Sequence, residues 1–228
     1  MEFFRAKYPA ILKCFYPERI SHIKDEHSIY LTFDDGPIPE VTPWVLKILK
    51  DFDAKATFFC IGENVQKHPE IFRQILAEGH SIGNHTFNHL NGWKTSSEIY
   101  LENIRKTAIE IQKNQFPKAE NCKPEILDLK IFRPPFGKIK NRQARKIVKL
   151  GYKIVMWDVV SGDYNENYSA ETCKNNVLKN ARPGSTIVFH DSQKAFKNLQ
   201  EILPEILQFY SEKRLKFRSL EVLAKKAN

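Results

Sequence analysis

Short apolar runs rich in β-branched and aromatic residues alternate along this chain with longer segments in which hydrophobic residues recur every three to four positions. The short runs predict β-strands and the longer segments predict amphipathic helices. The predicted strands are residues 29–33, 56–61, 81–83, 131–132, 153–157, 186–189 and 216–219. The predicted helices are residues 41–52, 65–78, 96–113, 141–150, 170–181 and 199–213.

The repeated order of strand, helix and strand predicts a parallel sheet, because each helix returns the chain to the same starting edge. Such a sheet either closes into a barrel or stays open and doubly wound, and the alternation alone fits both. No internal repeat, low-complexity tract or long linker divides the 228 residues. We therefore expect an α/β fold in one domain over residues 1–228.

The stretch LTFDDGP places two adjacent carboxylates, Asp34 and Asp35, at the end of the first predicted strand. Neighbouring side chains on a strand point to opposite faces, so the two act together only if the strand ends there. Further polar residues follow later predicted strands: His85, His89, Arg133, Asp163 and His190. Polar residues gathered at the carboxyl ends of parallel strands are typical of active sites in α/β barrels.

The segment GNHTFNH places His85 and His89 four residues apart, a spacing that lets both rings converge. Taken alone, the pair fits surface or packed histidines better than a functional site. Two histidines and a carboxylate form a three-ligand metal site with open positions, which suits a catalytic zinc or a non-haem iron. If one of the adjacent aspartates binds the metal, the other lies within reach of a metal-bound water.

Three further side chains have both a structural and a chemical interpretation. His190 ends the apolar run TIVFHD and is either a packed residue or a proton donor to a leaving amine. Arg133 precedes a stiff Pro-Pro-Phe-Gly turn and is either a surface cation or a clamp on a carboxylate. Asp163 in SGDYN either stabilises a turn or takes part in the site.

The charge composition favours acidic partners without identifying one. The formal net charge is +9 and the isoelectric point is near 9.3, which fits an anionic glycan, a membrane surface or nucleic acid, as well as a plain lysine-rich face. Dense basic blocks with interleaved aromatic residues are absent from the sequence, so we expect no nucleic-acid partner. No run of about 18 apolar residues occurs, so we expect no transmembrane helix.

The cysteines and the first twenty residues bear on cellular location. Cys14, Cys60, Cys122 and Cys173 lie far apart without a Cys-x-x-Cys pair, which argues against a zinc ribbon or a thioredoxin-type site. A reducing compartment is the simpler interpretation, although two disulfides would also use four cysteines. The N-terminus contains no apolar stretch of signal-peptide length. We expect a cytoplasmic monomer, or an envelope protein whose export signal has been removed.

Five motifs in this order resemble the polysaccharide deacetylases of the NodB-homology group, carbohydrate esterase family 4. They are TFDDGP, HTFNH, RPPFG, WDVVSGDY and IVFHD. Each motif alone is a weak signal, and their shared order is a specific one. The resemblance runs from about residue 28 to residue 192.

The resemblance implies a distorted (β/α) barrel with about seven parallel strands and metal-dependent removal of acetyl groups from an acetylated glycan. By motif position, Asp34 resembles the catalytic base, and Asp35, His85 and His89 resemble the metal ligands. Arg133 resembles the residue that holds the base, His190 the general acid, and Asp163 the acid that orients that histidine. The expected metal is zinc, with cobalt, nickel or iron as alternatives.

The resemblance also implies contacts to the substrate. The backbone N–H of Phe136 resembles the donor to the oxyanion, and Val188 occupies the position of a leucine that contacts the acetyl methyl group. Tyr164 stands where tryptophan is frequent, and Trp93 follows the metal-site histidines in a segment where Leu90 replaces a frequent proline. We expect Tyr164 and Trp93 to line the sugar groove.

The expected activity is N-deacetylation of an amino-sugar polymer or oligosaccharide, with O-acetyl groups as further substrates. A related branch of the same barrel opens cyclic amides, so an amidase acting on a non-sugar carbon–nitrogen bond is the first alternative. An iron-dependent oxygenase would use the two histidines and Asp35 but would need neither Asp34 nor His190. A non-catalytic glycan-binding protein would fit the charge, but it would not need the acid and base residues that this sequence retains.

Overall fold

The computed structural model describes residues 5–115 and 130–224, and its framework is one curled sheet of nine strands. The strands are β1 (Arg19–Ile20), β2 (Ser28–Asp34), β3 (Thr57–Cys60), β4 (Ser81–Asn84), β5 (Ile131–Phe132), β6 (Lys153–Val155), β7 (Val159–Val160), β8 (Thr186–His190) and β9 (Lys216–Arg218). Their order is β1-β6-β5-β4-β3-β2-β8-β7, with β9 paired to β2, and these pairings are parallel. The predicted α/β barrel fold is confirmed, with nine strands rather than about seven.

Eight α-helices connect or flank the strands within the described ranges. They are α1 (Ala10–Phe15), α2 (Val41–Asp51), α3 (Gly62–Lys67), α4 (Pro69–Ala77), α5 (Ser97–Gln115), α6 (Asn141–Lys149), α7 (Ala170–Leu178) and α8 (Gln193–Glu212). None of the helices in the described ranges is both long and apolar enough to cross a bilayer. The predicted helix over 65–78 is divided in two, because Pro69 cannot continue the hydrogen bonding of the helix that precedes it.

The N-terminal segment connects the two edges of the sheet. Lys7 pairs antiparallel with Val159 in β7, whereas β1 lies along β6. Two residues after β1, His22 pairs antiparallel with Ser185, the residue that precedes β8. The edges that β6 and β7 would otherwise expose are therefore covered by residues near the start of the chain.

Side chains of β2 alternate between the helical layer and the barrel interior, because successive strand residues point to opposite faces. Ile29, Leu31 and Phe33 pack with α2 and α8 in the main apolar core. Tyr30 belongs instead to an interior cluster, and Thr32 shares that face. Asp34, two residues after Thr32, lies on the same interior face and is the last residue of β2. The alternation therefore delivers one carboxylate to the mouth of the barrel.

The described cysteines are not paired with one another. Cys14 is exposed, Cys60 and Cys173 are buried, and all three are free thiols. Cys122 lies outside the described residues. Burial raises the pKa of the Cys173 thiol to about 12 and also raises the pKa of the Cys60 thiol well above its usual value, so both behave as small apolar core residues.

The substitution Gly83→Ala is expected to destabilise the sheet directly below the site. A Cβ at Gly83 would overlap the ring of Phe59, which lies against the guanidinium of Arg133, 4.0 Å from ring centroid to Cζ. Overpacking of this kind lowers the free energy of unfolding by about 1–3 kcal/mol. Urea unfolding of the variant measures the loss. Arg73→Ala, at an exposed position of α4, is the control and should stay within about 0.5 kcal/mol of wild type.

Candidate active site

The carboxyl ends of the central strands bring the predicted polar residues to one edge of the barrel. Asp34, the last residue of β2, pairs in register with His190, the last residue of β8. His85 directly follows β4, and Arg133 directly follows β5. Asp163 follows β7, a strand that the sequence did not predict. All seven predicted catalytic and metal-binding residues therefore lie at the same edge.

Asp35, His85 and His89 form a compact cluster of three potential ligands. Asp35 Oδ1 lies 3.3 Å from His89 Nε2 and 3.7 Å from His85 Nε2. One ligand atom from each residue lies within 4.8 Å of the others. Asp35 has a φ of 86° and His89 a φ of 57°, so β2 ends at Asp34 and both ligands sit in the left-handed region. The backbone thus leaves regular strand geometry at Asp35, and this lets the carboxylates of Asp34 and Asp35 lie at one site instead of on opposite faces of the strand.

The chemistry of this cluster fits a divalent metal. Asp35 Oδ1 is buried and has no hydrogen-bond partner within residues 5–115 and 130–224, so an oxygen with two lone pairs faces two imidazoles. His85 Nδ1 lies 2.8 Å from the carbonyl oxygen of Arg133, which places the proton on Nδ1 and leaves the Nε2 lone pair towards Asp35. Burial, followed by repulsion from His89, lowers the pKa of His85 to about 3 and keeps the ring in its neutral, ligating form.

Arg133 holds Asp34 inside the barrel. Its Nη1 lies 2.6 Å from Asp34 Oδ1 and also donates to Thr32 Oγ1 at 2.8 Å. Nη2 and Nε donate to the carbonyls of Met156 and Val155 at 2.9 and 3.3 Å. Arg133 is only 1% exposed, so the interpretation as a surface cation is wrong. Its guanidinium fixes the orientation of the carboxylate and compensates its charge.

His190 is joined to Asp163 by two contacts. Its Nδ1 lies 2.8 Å from Asp163 Oδ1, and its backbone N–H donates to Oδ2 at 2.8 Å. Burial opposes a charged imidazole, but the charge and hydrogen bond of Asp163 outweigh it and raise the pKa of His190 to about 9. The ring is therefore a charged imidazolium at neutral pH, and Nε2 is the nitrogen that remains to face a substrate.

The predicted substrate-contact residues surround this edge. The exposed ring of Phe136 lies 4.5 Å from that of His89, and Tyr164 packs edge-on against His190 at 4.7 Å. Val188 lies two residues before His190 in β8, so both side chains share one face of the strand. Trp93 is exposed in a short 3₁₀ helix, Gly92–Lys94.

Two residues that were not among the predicted site residues support the Asp34-Asp35 turn. Asp191 is fully buried, accepts hydrogen bonds from Gly36 N–H and Thr42 Oγ1, and donates its own N–H to the Asp34 carbonyl. Asn64 Nδ2 donates to the Asp35 carbonyl at 2.7 Å. An acidic residue directly after an apolar strand was a signal for Asp191, whereas nothing in the sequence around Asn64 indicates this contact.

Comparison with known proteins gives concordant matches. Residues 22–155 match the family model for polysaccharide deacetylase. A peptidoglycan-N-acetylglucosamine deacetylase of Bacillus cereus is 39% identical over 189 residues, covering 78% of this chain and 62% of the relative. A chitooligosaccharide deacetylase of Azorhizobium caulinodans is 39% identical over 171 residues, covering 74% and 75%. The chain thus spans less than two thirds of the length of the Bacillus cereus relative.

A solved structure matches over a larger share of both chains. The crystal structure of a peptidoglycan N-acetylglucosamine deacetylase bound to an N-oxidanyl benzamide superposes with a TM-score of 0.80 and 35% identity, covering 90% of this chain and 91% of that one. The family model, the relatives and the solved structure thus agree with the motifs at the mouth of the barrel. The chain therefore belongs to the polysaccharide deacetylase family.

Proposed function

We propose that this chain removes N-acetyl groups from an acetylated amino-sugar polymer or oligosaccharide and releases acetate. One observation carries the proposal. A carboxylate held by a buried arginine, a His-His-Asp cluster and a protonated histidine lie side by side at the mouth of one barrel. The names of the relatives support an amino-sugar substrate. The same groups would also cleave an O-acetyl ester.

Asp35, His85 and His89 would hold a divalent metal, and zinc suits two imidazoles and one carboxylate with open positions. Cobalt, nickel or iron would accept the same ligands. When bound, such an ion would lower the pKa of water and polarise an acetyl carbonyl. The hydrogen bond from His85 Nδ1 to the Arg133 carbonyl fixes the tautomer that ligation requires.

The remaining residues divide the proton transfers. Asp34, held by Arg133, accepts a proton from the attacking water, and the backbone N–H of Phe136 stabilises the negative oxygen formed by attack on the carbonyl. His190 then donates its proton to the departing amine, and Asp163 keeps His190 charged until that step. Water and amide thus become acetate and a free amine. Val188 would contact the acetyl methyl group, and Tyr164 and Trp93 would line the sugar groove.

Removal of bound metal is expected to abolish acetate release and to lower the melting temperature. The three ligands come from two separate loops, so a bound ion stabilises the folded state by mass action. Acetate release from an acetylated chitooligosaccharide, measured before and after dialysis against a chelator, tests the activity. Addition of zinc should restore it, and the elemental content of the purified protein identifies the metal. Full activity in protein shown to be metal-free would contradict the proposal.

A further inference from the structure

A cavity of about 670 Å³ lies between the N-terminal segment and the turn that precedes β8. Its volume is in the range of small-molecule sites. Four of its lining residues are basic: Arg5, Lys7, Lys13 and Arg182. No Asp or Glu is among its lining residues within the described ranges. Arg182 precedes β8 and His190 ends it, so a strand of five residues, about 13 Å long, separates the cavity from the proposed general acid.

Both walls of the cavity are fixed by backbone hydrogen bonds. On one side, residues 6–8 run along β7, and the N–H of Val160 donates to the Ala6 carbonyl at 2.8 Å. On the other side, the N–H of Ser185 donates to the Arg182 carbonyl at 2.9 Å, and the N–H of Arg182 donates to Ser185 Oγ at 3.0 Å. The walls therefore need little ordering when a ligand binds.

The basic side chains of the cavity differ in how far their charge is compensated. Lys13 Nζ lies 2.9 Å from Oδ1 of the buried Asp158, so this pair is already formed. Lys7 Nζ donates to the neutral carbonyl of Asn180 at 3.2 Å, which leaves two of its three N–H groups for other partners. The guanidinium of Arg182 has no hydrogen bond or ion pair within residues 5–115 and 130–224. Asp158 offsets one positive charge, and the cavity keeps a surplus of cationic groups.

We propose that this cavity binds a phosphate-bearing ligand and that Arg182 and Lys7 are the residues that recognise it. A guanidinium fork and an ammonium group are the donors that proteins use for phosphate oxygens. A phosphate group carries up to about two negative charges and three acceptor oxygens, so one group can engage both side chains. A carboxylate would compensate only one of them. The site lies at the opposite end of β8 from the mouth of the barrel, so the inference does not depend on the proposed function.

The phosphate has two possible sources, a soluble compound or a lipid headgroup, and two measurements on the full chain separate them. Isothermal titration with inorganic pyrophosphate at low ionic strength tests the soluble source. Sedimentation with vesicles of phosphatidylglycerol, compared with vesicles of phosphatidylcholine, tests the lipid source. We expect saturable binding in one of the two, weakening as salt is added. Absence of binding in both would overturn the inference.

Variants assign the binding to the cavity. Arg182→Gln should weaken it about ten-fold, the loss expected when a charge-assisted contact is removed, and Lys7→Gln about two- to five-fold. Arg73→Gln makes the same change in charge at an exposed position of α4 and should bind as wild type does.

One further variant separates the cavity from the proposed metal site, where a bound ion would also attract phosphate. Asp35→Asn removes a proposed metal ligand and should leave the affinity for pyrophosphate or vesicles unchanged. Equal affinities of Arg182→Gln and Arg73→Gln, or loss of binding in folded Asp35→Asn, would overturn the assignment to Arg182 and Lys7. Acetate release is measured separately, so either proposal can fail without the other.

Discussion

Replacing Asp34 by asparagine is expected to lower the rate of acetate release by about 10²- to 10⁴-fold, the usual contribution of a positioned proton acceptor. An amide oxygen does not take up a proton near neutral pH, so the variant retains the shape of the side chain without its basicity. The geometry is already fixed in wild type, where Arg133 Nη1 lies 2.6 Å from Asp34 Oδ1. Steady-state kinetics with an acetylated chitooligosaccharide measure the effect on kcat.

The same substitution leaves the buried Arg133 without its anion, so its effect on folding must be separated from its effect on chemistry. Breaking a buried ion pair costs about 3–5 kcal/mol, and circular dichroism establishes whether the variant is folded at the assay temperature. Metal content should stay near that of wild type, because Asp35, His85 and His89 are intact. Asp51→Asn makes the same change in charge at an exposed position and should retain full activity. Wild-type turnover in folded Asp34→Asn would remove Asp34 from the reaction.

The sequence predicted the central strands β2, β3 and β8, because those strands are buried on both faces. β2, β3 and β8 are continuous apolar runs, and each ends within one or two residues of its predicted boundary. A polar residue at the end of such a run is conspicuous, which is why Asp34 and His190 were predicted from their local sequence. Their adjacency required the register of β2 with β8, which no local pattern contains.

The elements that were missed are too short to have a period. β1 and β7 have two residues each, and their pairing depends on the distant strands β6 and β8. Helix α1 spans only Ala10–Phe15 and buries none of its side chains, so hydrophobic spacing did not predict it. Helix α8 begins at Gln193, six residues before the predicted start, because its first six residues bury only Ala195 and Asn198 and so contain no apolar repeat.

Arg133 illustrates the limit of prediction from local sequence. The turn after it predicted a fixed guanidinium, but local sequence did not separate a surface cation from a buried clamp. Its partners are Asp34 and Thr32 on β2 and two carbonyls at the end of β6, those of Val155 and Met156, so the clamp exists only once the barrel has formed. The roles of these residues in turnover remain predictions that the substitutions test.

Replacing Asp163 by asparagine is expected to lower kcat by about 10²-fold and to move the alkaline limb of the pH profile to lower pH. A general acid works only while protonated, and burial alone would lower the pKa of His190. The charge and hydrogen bond of Asp163 reverse that effect and raise the pKa of His190 to about 9. In wild type, His190 therefore stays charged through neutral pH and loses its proton as the pH rises towards about 9. A cation bound at Asp35 would offset part of the upward shift, which places the limb of the loaded enzyme at or below about 9.

Asparagine cannot reproduce the contacts of Asp163, because both carboxylate oxygens accept hydrogen bonds. Oδ1 accepts from the His190 ring and from Tyr164 N–H, and Oδ2 accepts from the His190 backbone N–H. Profiles of kcat against pH for wild type and variant distinguish a lowered pKa of His190 from misfolding. Misfolding lowers the rate at every pH without moving the alkaline limb. His190→Ala, with metal content unchanged, should eliminate the limb altogether. If the limb stays in place in Asp163→Asn while the rate falls, Asp163 acts only by positioning the ring, and its charge contributes nothing to the proton that His190 donates.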